Sequence, residues 1–495
     1  MKRFIYTGLL LLATVFAEAQ EERIVNLIKA DKMTYNRSDN IRKCVGDVAF
    51  EVDSTYLFCD TAFLHDETKN IDAFGDVHIK MSDTLNLYGQ ELHYNGSTRV
   101  ARIKKQVKLV DNKAVLTTDR LVYDRINTTA SYTTGGKIVD TSNQLTSVKG
   151  YYNTESKDFT FKDSVVVVNP DYTIYSDTMM YNTISKMVDF RGPSRIVGEE
   201  NTIYCENGWY DTKANKSQVN RNAYLNNGKQ TIYGDSIFYD REIGYGRAVK
   251  DVFIKDTEQD AIFTGEYAEY DEQNYYAFIT DSARAVLINK KDSLYISSDT
   301  LWAYLDTTKQ LETIYGYYEA RFYNKDVQGK SDSIKYSAVD SLITMFDEPA
   351  LWSGGNQILA DTIKIKLKNK NIDNLQLFDQ CLIVSHDTLD NYNQIKGRYM
   401  KAFFKEGELS RIYTEGNAET IYYLRDEEQK LIGVNKSVSS RMRLHIEDGE
   451  FTWITFIENP DEVMKPMKDL TQEDRFFKNF KWLEDIRPAG PNDVY

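Results

Sequence analysis

Proline is scarce in this chain, with 7 residues in 495, and helical hydrophobic periodicity is nearly absent before the C-terminus. Few prolines suit a sheet ladder, because every strand residue keeps its backbone donor. Cysteine is scarce too, with Cys44, Cys59, Cys205 and Cys381. Four thiols allow three full pairings, and the sequence does not choose among them. Cys44 and Cys59 are the nearest pair and could cross-link neighbouring strands; the alternative is four buried free thiols. The five histidines (His65, His78, His93, His386 and His445) show no H-x-x-x-H spacing, and neither a Gly-x-Ser-x-Gly elbow nor a phosphate-binding loop occurs. Catalysis and resident metals or cofactors therefore find no support. A solenoid lyase, with acids and bases assembled from adjacent repeats, is the one enzymatic reading left. Positive charge is in deficit, with 61 Lys and Arg against 75 Asp and Glu. A chain this acidic is a poor nucleic-acid binder and as a whole is repelled by an anionic membrane surface.

Long apolar runs are missing beyond the N-terminus. There, Lys2 and Arg3 precede an apolar stretch from Phe4 to Phe16, and Ala17-Glu18-Ala19 has the small-x-small form of a cleavage site. That is the layout of a secretory signal over 1–19, too short to span a bilayer. The expectation is an exported protein in the periplasm, held to membranes through partners.

What the chain has in quantity is one phrase, rewritten. "ADKMTYNRSDNIRKCVGDVAF" from Ala30 returns as "CDTAFLHDETKNIDAFGDVHI" from Cys59. Its acidic slot falls at Asp31, Asp60, Gln90, Asp119, Val148, Asp177, Glu206, Asp235, Glu266, Asp299, Asp332, Asp361 and Lys396, with five consecutive steps of 29. A fixed period in this range is the signature of a repeat architecture. Four positions after the acid stands an aromatic or other apolar residue: Tyr35, Leu64, Tyr94, Tyr123, Tyr152, Tyr181, Tyr210, Tyr239, Tyr270 and, later, Tyr336. Asn or Asp usually follows, which predicts a turn. After the turn the pattern alternates. Ile71, Ala73, Gly75, Val77 and Ile79 share one face, and Val48, Val107, Val165 and Val252 occupy slots equivalent to Val77. Period-two alternation with one apolar face is a half-buried strand.

Each repeat thus supplies two strands and two turns. The expected fold is all-β, an elongated jellyroll or solenoid of about 26 antiparallel strands in 20–459, with a possible subdivision near 386–396. Two strands per repeat at about 4.8 Å each give an object on the order of 125 Å long. So many strands cannot leave one apolar face in water, so the sheet must bend to turn that face inward. Propellers and leucine-rich repeats need longer periods or leucine ladders that are missing here.

The phrase A-D-x-hydrophobic-x-Tyr-Asp/Asn, a turn, then Gly-Asp-Val-x-hydrophobic resembles the OstA-like (organic solvent tolerance) family of periplasmic lipopolysaccharide-transport proteins. It is clearest at Ala30 to Phe50 and Cys59 to Ile79. The closing "NQIKGRYMKAFFKEGELSRIYTEGNAETIYYL" and "KWLEDIRP" resemble the long Bacteroidetes-type variant. The resemblance implies a β-jellyroll groove of V-bent strands that shields lipopolysaccharide acyl chains between inner and outer membranes. It implies jellyroll partners at both membranes joined by edge-strand pairing, and allows head-to-tail self-association.

On that reading the groove candidates are Tyr35, Val48, Leu64, Val77, Tyr94, Val107, Tyr123, Tyr152, Val165, Tyr181, Tyr210, Tyr239, Val252, Tyr270 and Tyr336. The competing reading of each is plain core packing, and the rival for the ladder is a non-catalytic polysaccharide-binding or structural solenoid. Ten of the thirteen acid slots hold Asp or Glu. One carboxylate per repeat cannot gather the six to eight oxygens calcium needs, so the row is read as solvated or backbone-capping. In the tail, 460–495, the repeat stops. Thr471 is placed to cap a short amphipathic helix with Glu473 and Asp474 in its first turn and Phe476, Phe480 and Leu483 on one face. Pro488 lies beyond its end. A cap on the last strands or a partner-docking segment are its two candidate roles.

Overall fold

The computed structural model describes residues 25–494 apart from 53–54, 142, 200, 290–292, 369–370, 406–407 and 448–449, so the expected signal segment lies outside the described residues. The chain divides into two compact units, up to Pro170 and from Asp171 onward. Both are ladders of antiparallel strands. Across the subdivision expected near 386–396, Asn371–His386 simply pairs with Tyr392–Lys405. No helix among the described residues is long and apolar enough to cross a membrane.

The repeat has two kinds of punctuation. The first is the turn after the tyrosine slot. Asn95 accepts from the N–H groups of Ser97 and Thr98. Asp124, Asn153, Asn182 and Asp211 do the same for the residues two and three beyond each. A short side-chain acceptor here satisfies donors that the turning backbone leaves free, which is why Asn and Asp recur.

The second is a bend at mid-strand. Gly46-Asp47, Gly75-Asp76, Lys105-Gln106, Asp163-Ser164, Arg221-Asn222, Lys250-Asp251 and Asp281-Ser282 each place two successive residues at positive φ. Opposite each pair the register slips by one, as between Val45 and Val48 or between Phe74 and Val77. These are β-bulges, and they fold each strand of eleven or twelve residues into a V. The acid slot marks the same corner from the neighbouring strand. The backbone N–H of Asp31, Val148, Asp299 and Asp361 donates to the carbonyl of Gly46, Asp163, Tyr318 and Asp379, the first bulge residue in each case. A Cβ on Gly75 (φ +76°) would lie 2.2 Å from the Asp60 carboxylate, so glycine serves here both for φ and for room.

Each bent strand thus has a proximal arm, carrying the tyrosine slot, and a distal arm beyond the corner. Inner residues alternate with outer ones along both arms. The inner side of the later strands is a dry core running from Ala320 and Phe322 through Met345, Leu351, Ile363 and Leu377 to Met442 and Ile446.

The tail departs from expectation. The ladder continues past Pro460, since Asp461–Pro466 still pairs with Leu431–Glu447. Thr471 does cap a helix, through a reciprocal capping box with Asp474, but the helix is one turn, Gln472–Arg475. Phe476 is extended and a turn follows it, in which the Phe480 N–H donates to the Phe477 carbonyl, so Phe476 and Phe480 do not share a helical face, although their rings lie 4.5 Å apart. Tertiary contacts outweigh the local pattern here. The tail runs as a strap over the outer face of the distal arms, where Phe477, Phe480 and Trp482 pack with Leu382, Val384, Ile421, Tyr423 and Val434. Three buried glutamines hold it. Gln394 donates to the Arg475 carbonyl (2.7 Å) and accepts from the Phe477 N–H (3.1 Å). Gln357 does likewise for Lys481 (2.7 Å) and Leu483 (2.6 Å). Gln328 accepts from Arg487 (2.9 Å).

Candidate functional site

The tyrosine slots converge. In the first unit, direct cross-strand partners form one inner row: Tyr35, Arg42, Leu64, Ile71, Tyr94, Ala101, Tyr123, Ala130, Tyr152 and Phe159. In the second, the row is Tyr181, Val188, Tyr210, Ser217, Tyr239, Gly246, Tyr270 and Ala277, then Ala303, Ile314, Tyr336, Ile343 and Ile365. Large and small residues mostly alternate along it, so a tyrosine on one strand lies over a small neighbour on the next. The valine slots form a second row at the corner, where Val48, Val77, Val107 and Val252 stand opposite Cys59, Gly89, Thr118 and Gly265.

Exposure separates the candidates. Val48, Leu64, Val77, Val107, Tyr152, Val165 and Val252 are buried. Tyr94, Tyr123, Tyr181, Tyr210, Tyr239, Tyr270 and Tyr336 are half-buried, and Tyr35, on the first described strands, is 47% exposed. The two units differ in the same way. On the distal arms of the first unit, the inner row Phe50, Leu57, Ile79, Leu87, Leu109 and Leu116 is buried. In the second unit the equivalent row of Ile196, Ile203, Leu225, Ile232, Ile254 and Phe263 is half-buried on six successive arms. Facing it are the half-buried tyrosines from Tyr181 to Tyr270. Between Ile196 and Phe263 the inner face is therefore apolar and incompletely covered, whereas from Phe322 to Leu444 it is packed shut. Burial raises the pKa of the Tyr210 and Tyr270 hydroxyls, so neither carries a tyrosinate charge near neutral pH.

The slot before the acid escaped the sequence reading, although its signal was available. In the first twelve repeats it holds Ala30, Cys59, Gly89, Thr118, Ser147, Ser176, Cys205, Gly234, Gly265, Ser298, Ser331 and Ala360, all small, and only in the thirteenth a large residue, Ile395. A Cβ at Gly89 would stand 2.4 Å from Ile103, which shows how little room the corner leaves. Where the slot is serine, its hydroxyl donates to the carbonyl two residues on, at 2.9–3.1 Å for Ser147, Ser176, Ser298 and Ser331. Where it is Cys59 or Cys205 the thiol is buried, and burial pushes its pKa up to about 12. All four cysteines are free. Cys44 stands opposite Ala62 and Cys59 opposite Val48, so the register does not bring that pair face to face. Among the described residues no three His, Cys, Asp or Glu side chains gather around a point.

V-bent antiparallel strands with an apolar inner face define a β-jellyroll. Comparison with known proteins gives the family. Residues 22–177 match the family described as OstA-like protein, and residues 264–371 match the family described as LptA/(LptD N-terminal domain) LPS transport protein. The chain thus carries an OstA-like region followed by one of the LptA/LptD N-terminal kind, both from lipopolysaccharide-transport families, which are non-catalytic. No curated protein matches it. Among solved structures it is similar to LptH, the LptA homologous periplasmic component of the lipopolysaccharide transport device from Pseudomonas aeruginosa. Identity there is 16%, the match covers 24% of this chain and 84% of that one, and the TM-score is 0.21.

Proposed function

We propose that the protein works in the periplasm as a lipopolysaccharide carrier between the inner and outer membranes, and that the acyl chains ride against the half-buried inner rows of the second unit. The observation that carries this reading is the stretch from Ile196 to Phe263, where isoleucine, leucine and phenylalanine face tyrosines across an inner side that stays partly open. Burying acyl CH₂ groups contributes about 0.8 kcal/mol each. A row of near-equivalent rungs lets a chain advance with little change in free energy from one to the next. Partners are jellyroll domains at the two membranes, reached through sheet edges. Val25–Lys29 and Lys32–Asn36 pair only with Ile41–Val52 among the described residues, which leaves an edge able to accept another strand or a second copy.

Photocrosslinking in living cells tests the groove. A photoreactive residue at Ile232 or Tyr239 should capture lipopolysaccharide, while one at Leu377 or Met400, in the packed stretch, should not. Equal capture at both pairs of sites, or capture only from outer positions such as Asp76, would exclude this groove.

A further inference from the structure

The second unit carries an unbalanced row of positive charge on the outer face of its proximal arms. Direct cross-strand partners there run Lys335, Thr344, Lys364, Gln376, Lys401, Tyr413, Arg443 and Thr455, so a cation stands on every second strand. At about 4.8 Å per strand, the four cations repeat at roughly 10 Å. Arg411 flanks them from the next row. Each lies over an aromatic ring, Lys335 over Tyr315 (5.3 Å), Lys364 over Phe378 (5.1 Å), Lys401 and Arg411 over Phe403 (5.1 and 5.6 Å) and Arg443 over Tyr413 (5.1 Å). None of these five has a carboxylate in ion-pair range among the described residues. The carboxylates nearby sit at the corner, where Asp379 pairs with Arg398 and Glu458 with Arg441, and Glu415 borders the row unpaired. The arrangement is conspicuous in a chain whose net charge is −14.

The flanking row, Arg411 and His445, ends at an exposed tryptophan. Trp453 is 73% exposed, stands opposite His445 on the same outer face, and lies on the last strands of the ladder; its neighbours Ile454 and Phe456 turn inward to the core. An aromatic side chain with one wet end, beside lysines and arginines, is the composition favoured at a membrane interface. The aromatic rings along the row are already covered by the cations, or stacked on one another as with Phe278 and Trp302 (4.5 Å, 2°). They are poor platforms for flat sugar rings, so the charge decides the partner.

We propose that this face seats the C-terminal end of the protein on the headgroups of an anionic bilayer, with Lys335, Lys364, Lys401, Arg411 and Arg443 meeting lipid phosphates and Trp453 entering the interface. The negative charge of the whole chain repels such a surface at long range, so docking is oriented, with this face alone able to approach.

Co-sedimentation of the full chain with vesicles tests it. Binding is expected to vesicles of phosphatidylcholine and phosphatidylglycerol, to be absent with phosphatidylcholine alone, and to weaken as salt is raised. The K335Q/K364Q/K401Q/R443Q variant should partition at least about tenfold less, given the contribution of each basic residue near an anionic surface. W453A should also weaken binding, and K69Q/K113Q/K137Q/K213Q, which removes as many positive charges elsewhere, should not. If the fourfold variant melts early, K364Q/K401Q alone should still give a measurable drop. Equal binding to neutral vesicles, an unchanged row variant, or binding of soluble inorganic polyphosphate without vesicle binding would each overturn the proposal. Crosslinking at Tyr239 reads the groove separately, so failure of one reading leaves the other standing.

Discussion

Tyr152 and Asp111 stand 41 positions apart, and the Tyr152 hydroxyl donates to the Asp111 carboxylate, which Lys157 also reaches at 2.9 Å. Tyr152 ends a proximal arm and Asp111 ends a distal one, so the contact ties the two arms together. Arg125 does the same with the Val52 carbonyl (2.9 Å). In the first unit the open side of the V is thus laced by polar contacts, which accords with the buried inner row of its distal arms.

Removing that tie should loosen the first unit. Tyr152→Phe or Asp111→Asn is expected to lower stability by about 1–2 kcal/mol, read by urea denaturation. Burial, and then the bond to Asp111, raise the Tyr152 pKa. The folded chain holds that proton more tightly than the unfolded one, so this contribution is intact below pH about 10 and is lost as pH rises above it. Tyr152→Phe should lack that part of the alkaline loss. A parent and variant with superimposable alkaline melts would remove the contact from the account.

The corner should be intolerant of a side chain. Gly75→Ala must adopt φ +76° and displace Asp60, and Gly265→Ala places its Cβ 2.7 Å from Ile279. Each is expected to cost about 1–3 kcal/mol, visible as a drop in melting temperature. Gly135→Ala, with nothing within 4 Å, separates the two causes, because it carries the φ penalty without the clash.

The strap is expected to act as a cover. Gln357→Ala removes two bonds to the strap backbone and should cost about 2 kcal/mol. Deleting 467–495 uncovers Leu382, Val384, Ile421 and Tyr423, so the purified protein should aggregate or bind a hydrophobic dye. A deletion variant that stays monomeric and melts as the parent does, yet fails in lipopolysaccharide delivery, would assign the strap to a partner instead.

Acid should release the start of the strap. The bond from Lys465, and then those from Thr471, hold the Asp474 carboxyl well below the usual carboxylate range. A carboxylate lowered by folding stabilises the fold above its unfolded value, near pH 4, and that contribution falls away as pH drops below it. Hydrogen exchange at Thr471 and Phe477 should accelerate as pH falls from 4 toward 2, after correction for intrinsic rates. Asp474→Asn should abolish the pH dependence.

Occluding the open stretch should stop transport without unfolding the chain. Gly246 lies between Tyr239 and Tyr270 on the inner row, with its nearest neighbour for a Cβ at 3.4 Å. Gly246→Leu is expected to fold, with a stability change under about 2 kcal/mol, and to lose lipid capture at Tyr239. Undiminished capture would move the lipid path elsewhere.

Much of this protein is local and was therefore legible in the sequence. The 29-residue period, the Asn or Asp turn and the apolar alternation around Val77 each arise from one residue's preference at one place, and repetition adds up signals that are weak singly. The corner was half legible. Gly-Asp-Val announces the bulge at Gly46 and Gly75, but the same left-handed pair at Lys105-Gln106 or Asp281-Ser282 is imposed by the neighbouring strands and leaves no such mark. The sequence also placed the tyrosine slots on one inner row, yet not which of them stay open. That depends on what lies across the V, as Tyr94 and Tyr239 show beside Tyr152. The strap is not encoded locally for a similar reason. Phe476 and Phe480 satisfy a helical spacing, but a chain that leaves the helix after one turn reaches Gln394, Gln357 and Gln328 in succession, as a continuous helix of the same residues would be too short to do. The row of cations over aromatics is not legible in the sequence, because Lys335, Lys364, Lys401 and Arg443 meet only through strand register, which no single strand encodes.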